Sequence, residues 1–540
     1  MFRHVSKVAS MFKYTHFIFS NTEPSQSKPA HTGLLDLEAG IDALLEDRWE
    51  ESEKVLSDAN DPFHAFGRAL LVYFQAILSS EYPTDETVFE KAFQTLSFSS
   101  SVHCELLTAH AILMFSSLQF LKSSWVEHLK AACDIRKAYK IYERLFEDTL
   151  GTSIYDYDPS QPSRLQDPLE HGIYFGLGLF HLVISLLPTK VVKVLGQVKF
   201  RSVQSMSNDL LRKASESKTL YSSLASLVLL YYYAHRAMYL SPSPDQAEWI
   251  QHTLDRLKRT YSTSPLIALL EIKMTKTKSQ LSQCLVRLKA TKKIQCRMDE
   301  KGPIQSIKEY NVFRLLVLFE MGWLLVFSGH YTEAVETFFC LESTCHWSRL
   351  FYHFLSTCCM MAEGSFEKAG REIGQLIQMF EIKRKSGAAL SPSEDYAEYK
   401  IKRWTETAKT REIPISELLR TQQPLWELVY LWNGVHLWSE SLLEKIEQEL
   451  ANRQDPFAHL LLGVIYREKD PVLALAYFDS IVIQEREWVA CALYEIALTH
   501  SLAGDKQRAA DYLKRVVSND FEWKMCMKIK CQFLFESLGK

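Results

Sequence analysis

Glycine and proline are scarce, 19 and 17 among 540 residues. So little turn punctuation excludes an all-β protein built of many short strands. An excess of charge of one sign is also lacking. The 62 basic and 65 acidic side chains leave a formal net charge of −3, so no global field points to nucleic acid or to a polybasic membrane anchor. No Cys-x-x-Cys pair and no Asn-x-Ser/Thr acceptor occurs, and residues 1–30 show no secretory pattern. The 11 cysteines are an odd number and read as free thiols in a reducing compartment, which places the chain in the cytoplasm or on the cytosolic face of an organelle. There is no phosphate-cradling glycine loop, no His-Glu-x-x-His and no Gly-x-Ser-x-Gly. No catalytic, cofactor-binding or metal-binding residue is therefore assigned, no cofactor is expected, and the chain is not expected to be an enzyme.

What is present is helical period. Apolar residues make up 47% and charged residues 24%, ordinary for a chain that buries full cores. Residues 1–31 read as a mobile N-terminal tail; Arg3, Lys7 and Lys13 with Phe2, Val5, Val8 and Phe12 give it only a loose likeness to a mitochondrial presequence. From Leu34 the apolar positions Leu37, Ile41, Leu44 and Leu45 follow at helical spacing, Asp47–Trp49 makes a break, and a second helix carries Val55 and Leu56. Asp61 and Pro62 open a helix from Phe63 to Leu78, and periodicity continues over 86–98, 102–121 and 125–147. Gly151 to Pro168 is a polar link. After Ser241–Asp245, a clear break, two more helices are expected near 245–260 and 265–300.

The longest apolar run is Leu169–Leu187, closed by Pro188. Gly172, Gly176 and Gly178 lie inside it, and each costs ~1 kcal/mol relative to alanine in a helix. Gly172 and Gly176 share a face and would let another backbone come close. The run is too short for a span, which needs about 20 apolar residues, and it contains His181. It is therefore expected as a central helix, buried on most sides by the chain itself, with the inner helix of the 313–346 unit or of the 34–56 unit as its cover.

The C-terminal part repeats a pattern. Gly322 and Ala334 stand twelve apart, with Gly329 and Tyr331 between and Phe338 four beyond; Thr357, Gly364, Ala369 and Ile373 repeat it, as do Ala497, Gly504, Ala509 and Leu513. Gly463, Ala474 and Phe478 form a version one residue short, and Gly40, Ser52 and Leu56 a degenerate one. This is the tetratricopeptide helix–turn–helix signature. The small residues let the two helices cross closely, and the large residue packs between them. Trp404–Trp438 reads as a unit whose signature has eroded, and Lys383–Ser393 as a loop.

Several candidate sites have plainer readings. Cys340, Cys345, His346, Cys358 and Cys359 fit no zinc spacing and read as buried or half-buried thiols. His171 and His181, ten apart and on one helical face, read as core histidines with backbone partners rather than a relay. The nine Lys or Arg of residues 271–301, set against three acids, form no single stripe and read as a solvated face. Trp323, Trp347, Trp426, Trp432 and Trp438 read as packing. The groove positions Leu316, Phe319, Trp323, Val326 and Phe327 of one repeat, and Leu34, Leu37, Ile41, Leu44 and Leu45 of another, are apolar. A groove that clamps a peptide carboxylate needs Lys, Arg or Asn there. These grooves should be filled by another helix.

The central run Gly176–Pro188, with Glu216–Lys218, Leu224–Tyr231, Arg136–Tyr142 and Glu320–Trp323 leading to Trp347 and Ser348, resembles the tetratricopeptide repeat protein 39 family, itself related to fungal inclusion-body clearance proteins. The resemblance runs from about residue 35 to the end. It implies a non-enzymatic protein-binding scaffold or adaptor without catalytic residues, in a family with suggested roles in cilium assembly and inclusion-body clearance. The expected fold is all-α, a tetratricopeptide-like helical-repeat (α-solenoid) protein with the central helix filling the superhelix. Its parts are the tail 1–31, an N-terminal lobe 32–303 holding the central helix 169–187, and a C-terminal repeat lobe 304–540. Protein partners are expected, nucleic acid and a transmembrane segment are not. The alternative is a peripheral membrane or organelle-surface protein that associates through the central helix.

Overall fold

The structure, a computed structural model, describes residues 30–57, 61–79, 87–97, 101–119, 125–158, 168–186, 204–237, 240–275, 278–295, 312–345, 348–387, 390–483, 487–518 and 524–539. Among these residues there are α-helices, two short 3-10 turns and no strand. The fold is all-α and tetratricopeptide-like. Residues 1–29, with the presequence-like pattern, lie outside the described residues, as do Pro188, His346 and Trp347.

The helical hairpins form where the signature places them. They are Ala30–Leu45 with Trp49–Ser57, Val312–Phe327 with Tyr331–Thr344, Arg349–Glu363 with Phe366–Lys385, Pro456–Tyr466 with Pro471–Ile483, and Val489–Leu502 with Lys506–Ser518. The first small residue of each glycine-bearing unit receives the large residue of its partner helix. A Cβ added at Gly40 would stand 2.7 Å from Leu56 Cγ, at Gly322 2.6 Å from Phe338 Cε1, and at Gly463 2.3 Å from Phe478 Cε1. In the degenerate unit, Ser52 also donates to the Gly40 carbonyl at 2.6 Å in the buried crossing.

The turns are shared as well. Gly329, Gly364 and Gly504 have φ of 75°, 89° and 84°. The next amide in each case donates five residues back, His330 to Leu325, Ser365 to Met360 and Asp505 to His500, all at 2.9 Å. This is the left-handed helix stop that glycine adopts without a Cβ penalty. In the first hairpin Asp47 takes the same place with φ 69°, and Arg48 donates to Ala43 at 2.8 Å. The signature has eroded there while the backbone has kept its form.

Gly374, on the outer face of Phe366–Lys385, meets nothing within 4 Å. Gly374→Ala is therefore expected to raise stability by ~1 kcal/mol through helix propensity alone, measured as a higher denaturant midpoint with an unchanged slope.

Two compact units are present. The first lies within Met1–Leu229 and Leu257–Ser264, the second within Leu230–Arg256 and Pro265–Lys540. This departs from the division expected at 303/304, which itself falls outside the described residues. Pro265–Thr275 and Leu281–Gln295 pack with Val312–Phe327, and their Ile272, Leu281, Cys284, Leu285 and Leu288 join the core of the second unit. The helix expected over 265–300 is broken by the 3-10 turn Lys278–Gln280.

Pro168–Leu186 is the middle of the first unit. From Glu170 to Gly178 every residue is buried. Its main neighbours are Gln204–Ser215, Trp125–Leu150 and Val102–Gln119, rather than the 34–56 hairpin; the 313–346 hairpin belongs to the second unit. The glycines explain this choice. A Cβ at Gly172 would stand 2.5 Å from Leu106 Cδ2, and at Gly176 2.3 Å from Tyr142 Cε1. The shared glycine face therefore receives side chains. Of the three, Gly178 is the one that admits a backbone, for a Cβ added there would stand 3.1 Å from the Leu211 amide nitrogen. At the same crossing Ser207 donates to the Gly178 carbonyl at 2.7 Å. At the other end Glu170 is fully buried. It accepts from Tyr174, which accepts from Tyr157, which accepts from Lys213, at 2.7, 2.8 and 2.8 Å. That chain links a buried carboxylate, by way of the 151–158 link, to a cation on the neighbouring Gln204–Ser215 helix.

The second unit has its own enclosed helix, unanticipated in the sequence. Arg349–Glu363 is buried at every position from Leu350 to Met361. It packs against Tyr331–Thr344, Phe366–Lys385, Pro392–Thr410 and Pro424–Leu431. His353, at its centre, has Nδ1 3.0 Å from a Glu342 carboxylate and Nε2 2.9 Å from a Glu372 carboxylate. Both are close contacts that lack hydrogen-bond alignment.

Candidate functional site

The groove of the 312–344 repeat is where a peptide would lie if this were an open repeat scaffold. Its wall comes from the face of Val312–Phe327 carrying Phe319, Trp323, Val326 and Phe327, of which the last three are buried. The cover is a turn of the same unit. Trp432 stacks on Trp323, with ring centroids 4.8 Å apart and planes at 20°, and on Phe351 at 5.4 Å and 19°. Trp323 also stacks on Phe327 at 5.7 Å.

The turn is shaped for this task. Two residues past the end of Pro424–Leu431 stands Asn433, whose φ is 52°, and the Gly434 amide donates to Val429 at 2.8 Å. Asn is the side chain most tolerant of that left-handed conformation after glycine. Gly434 then lies against Phe327, where a Cβ would stand 2.2 Å from Cε1. Residues 404–438 are therefore not an eroded repeat. They run from the long helix Pro392–Thr410 through the short Ile415–Leu419 to the groove-filling turn and the 3-10 segment Val435–Leu437. Gly434→Val is expected to expel Trp432 from the groove and destabilise the second unit by about 2 kcal/mol through overpacking. A red-shifted tryptophan emission with a lowered melting temperature would report it.

One opening remains beside this plug. A cavity of about 190 Å³ is lined by Phe319, Trp323, Phe327 and Trp432, with Lys273 and Glu320 supplying charge; Tyr231, Ala234 and His235 complete its edge. Tyr231 is 60% exposed and marks the mouth. Lys273, from Pro265–Thr275, donates to Glu320. Burial pulls the Lys273 ammonium pKa down, and the Glu320 carboxylate outweighs this and raises it overall. Glu320 is the one acid of an otherwise apolar helix face, which is the sequence signal that a buried cation must meet it. The Trp323 indole N–H is buried without a hydrogen-bond acceptor.

Three members of the basic run, Lys273, Arg287 and Lys289, pair with acids. Arg287 bonds Glu271 and Lys289 bonds Glu333, while Lys273 is the inward-facing member. Cys345, Cys358 and Cys359 are buried free thiols and Cys340 is half-buried. Among the described residues no three candidate ligands converge as a metal site would require. His171 and His181 are both buried. His181 differs from the expected backbone-bonded histidine, for neither ring nitrogen has a hydrogen-bond partner. Burial lowers its pKa to about 4.

The central helix does not offer its apolar face to a membrane, because that face is enclosed. Among the described residues no helix is long and apolar enough to cross one.

Two family profiles agree with this architecture. The family profile described as Iml2/Tetratricopeptide repeat protein 39 matches residues 84–469. The profile described as Tetratricopeptide repeat matches residues 492–520, the hairpin of Ala497 and Ala509. A curated protein of Schizosaccharomyces pombe (strain 972), titled "Uncharacterized protein C11E3.14", is 23% identical over 572 aligned positions that cover 94% of each chain. A solved structure titled "Crystal structure of APC/C hetero-tetramer Cut9-Hcn1" aligns over 94% of this chain and 88% of that one, at 14% identity and a TM-score of 0.29.

Proposed function

The chain belongs to the Iml2/tetratricopeptide repeat protein 39 family, and from that premise we propose that it is a non-enzymatic scaffold that binds other proteins. The carrying observation is the state of its repeat groove. In the 312–344 repeat the concave wall is occupied by Trp432 of the same unit, so an extended peptide cannot lie along it. Partners then meet the outer helices and edges, where apolar side chains such as Val472, Ile483 and Leu502 stand 78%, 80% and 69% exposed. The finer reading, suggested by the family, is a part in cilium assembly or inclusion-body clearance in the cytoplasm.

The test is affinity purification of the tagged full chain from cells, beside sedimentation with phosphatidylcholine–phosphatidylserine vesicles. The expected outcome is a reproducible protein partner at comparable stoichiometry and no vesicle binding. Vesicle binding without a protein partner would contradict the reading. If depleting the chain from ciliated cells changes neither cilium length nor the number of protein inclusions, the finer reading is withdrawn.

A further inference from the structure

Phe366–Lys385 closes on a basic triplet, Lys383, Arg384 and Lys385, and Ser386 follows as its capping residue. Ser386 is exposed, and Gly387, at φ 73°, turns the chain away. Two of the three cations tie this end to the start of Pro392–Thr410. Lys383 Nζ donates to Glu394 at 2.7 Å, and Arg384 donates to Glu398 through two nitrogens. Glu394 is the more demanding partner. Its side chain is 1% exposed. Its carboxylate also accepts from the Ser391 amide at 2.9 Å, closing the capping box that starts Pro392–Thr410. A buried carboxylate that loses its cation is costly. Pro392–Thr410 in turn covers the enclosed helix, with Trp404 stacked on Phe354 at 6.0 Å.

We propose that Ser386 is a phosphorylation site for a serine kinase that selects basic residues ahead of its target, and that the phosphate loosens the start of Pro392–Thr410. The cations such a kinase reads with its own carboxylates are Lys383 and Arg384. Both stand in the last helical turn, the part of a helix that frays most readily. In the transfer the Ser386 hydroxyl oxygen attacks the γ-phosphorus of ATP. The new O–P bond forms, the bond from that phosphorus to the β–γ bridging oxygen breaks, the hydroxyl proton passes to the kinase's base and ADP leaves. The phosphate brings about −1.5 to −2 charge at pH 7 and three acceptor oxygens. Ser386 and Lys383 are three residues apart and share a helix face; the Ser386 hydroxyl already donates to the Lys383 carbonyl at 2.7 Å. The phosphate therefore competes with Glu394 for Lys383 at close range. It also stands at the carbonyl end of its own helix, where negative charge is opposed. With Lys383 drawn off, the buried Glu394 holds the cap less well, and the first turns of Pro392–Thr410 open more often. The site stands on these residues alone, whichever partners the chain binds.

Incubation of the full chain with the catalytic subunit of cyclic-AMP-dependent protein kinase, magnesium and ATP tests it. Fragmentation mass spectrometry locates the phosphate, and hydrogen exchange is read over residues 394–400. Ser386 is expected to be modified stoichiometrically, and the 394–400 amides to exchange at least about fivefold faster than in the unmodified chain. Residues 456–466 of the same unit should keep their rate. Lys383→Gln removes the cation without adding a phosphate, and the unmodified variant is expected to speed the same 394–400 amides by a similar factor. Ser386 left unmodified by the kinase, or phosphorylated with unchanged exchange over 394–400, would overturn the proposal. So would a Lys383→Gln chain whose 394–400 amides exchange as the parent's do, or a rise that spreads equally to 456–466.

Discussion

Gly176→Leu is expected to destabilise the first unit by about 3 kcal/mol, the upper part of the range for overpacking a core. The added Cβ alone would stand 2.3 Å from Tyr142 Cε1, 2.6 Å from its Cζ and 2.9 Å from His110 Cε1. Tyr142 has no room to turn away. It is fully buried, and its hydroxyl is 2.7 Å from His110 Nδ1. Moving Tyr142 would therefore also leave a buried histidine nitrogen and a buried hydroxyl without partners. The expected result is a lowered denaturation midpoint for the first unit, beside the raised one for Gly374→Ala. A Gly176→Leu chain that unfolds like the parent would mean that the central helix is not enclosed by Tyr142 and His110.

Acid should weaken the same unit. Burial lowers the pKa of His110 to about 3 and that of His181 to about 4, from an ordinary 6.5. Both rings are neutral in the folded and the unfolded chain at pH 7 and above, so they do not oppose folding there. As the pH falls below about 6.5, the unfolded chain takes up protons that the folded chain refuses until pH 3 to 4. Stability is therefore lost with falling pH, by about 1.4 kcal/mol per unit and per histidine. Between pH 7 and 5 this comes to about 2 kcal/mol each, or about 4 kcal/mol for the pair. Glu38 and Asp42, in the same unit, have pKa values raised chiefly by burial and act in the opposite direction. The loss that disappears in His181→Leu is the histidine's own share and separates it from theirs. Urea denaturation of the first unit at pH 7 and pH 5 measures the effect. His181→Leu should remove about half of it. A midpoint that does not move, or that rises on acidification, would contradict the burial of these two rings.

The repeats were legible because their signal is local. Gly40 against Leu56, Gly322 against Phe338 and Gly463 against Phe478 lie within one hairpin, and sequence spacing alone brings them together. The enclosure of the central helix was legible for a similar reason. A run from Leu169 to Leu187 whose ionisable side chains are Glu170 and His171 at its start and His181 further on cannot remain in water. Its neighbours were not legible. The rings that fill Gly172 and Gly176 come from Tyr221, Tyr142 and His110, and nothing local to those three residues says which glycine each will meet.

The groove plug was hidden for the same physical reason. Trp432 and Gly434 are about a hundred residues from Trp323 and Phe327, and their helix, Pro424–Leu431, looks locally like part of another repeat. Lys273 was hidden by its company. It belongs to a basic stretch in which Arg287 and Lys289 lie on the surface with their own carboxylates. The clue lay across the chain in Glu320, a lone acid between Phe319 and Met321 on an apolar helix, which required a cation from elsewhere.

The central claim is that the chain encloses its own central helix and fills the groove of its 312–344 repeat, leaving partners to the outside. Hydrogen exchange of the native full-length chain, read by mass spectrometry over residues 170–184 and 350–361, tests it most directly. Both segments should exchange only when their unit unfolds globally, and so rank among the slowest in the chain. If residues 170–184 instead exchange at the rate of a surface helix such as Pro471–Ile483, the central helix is available to a partner or a lipid surface and the account is wrong.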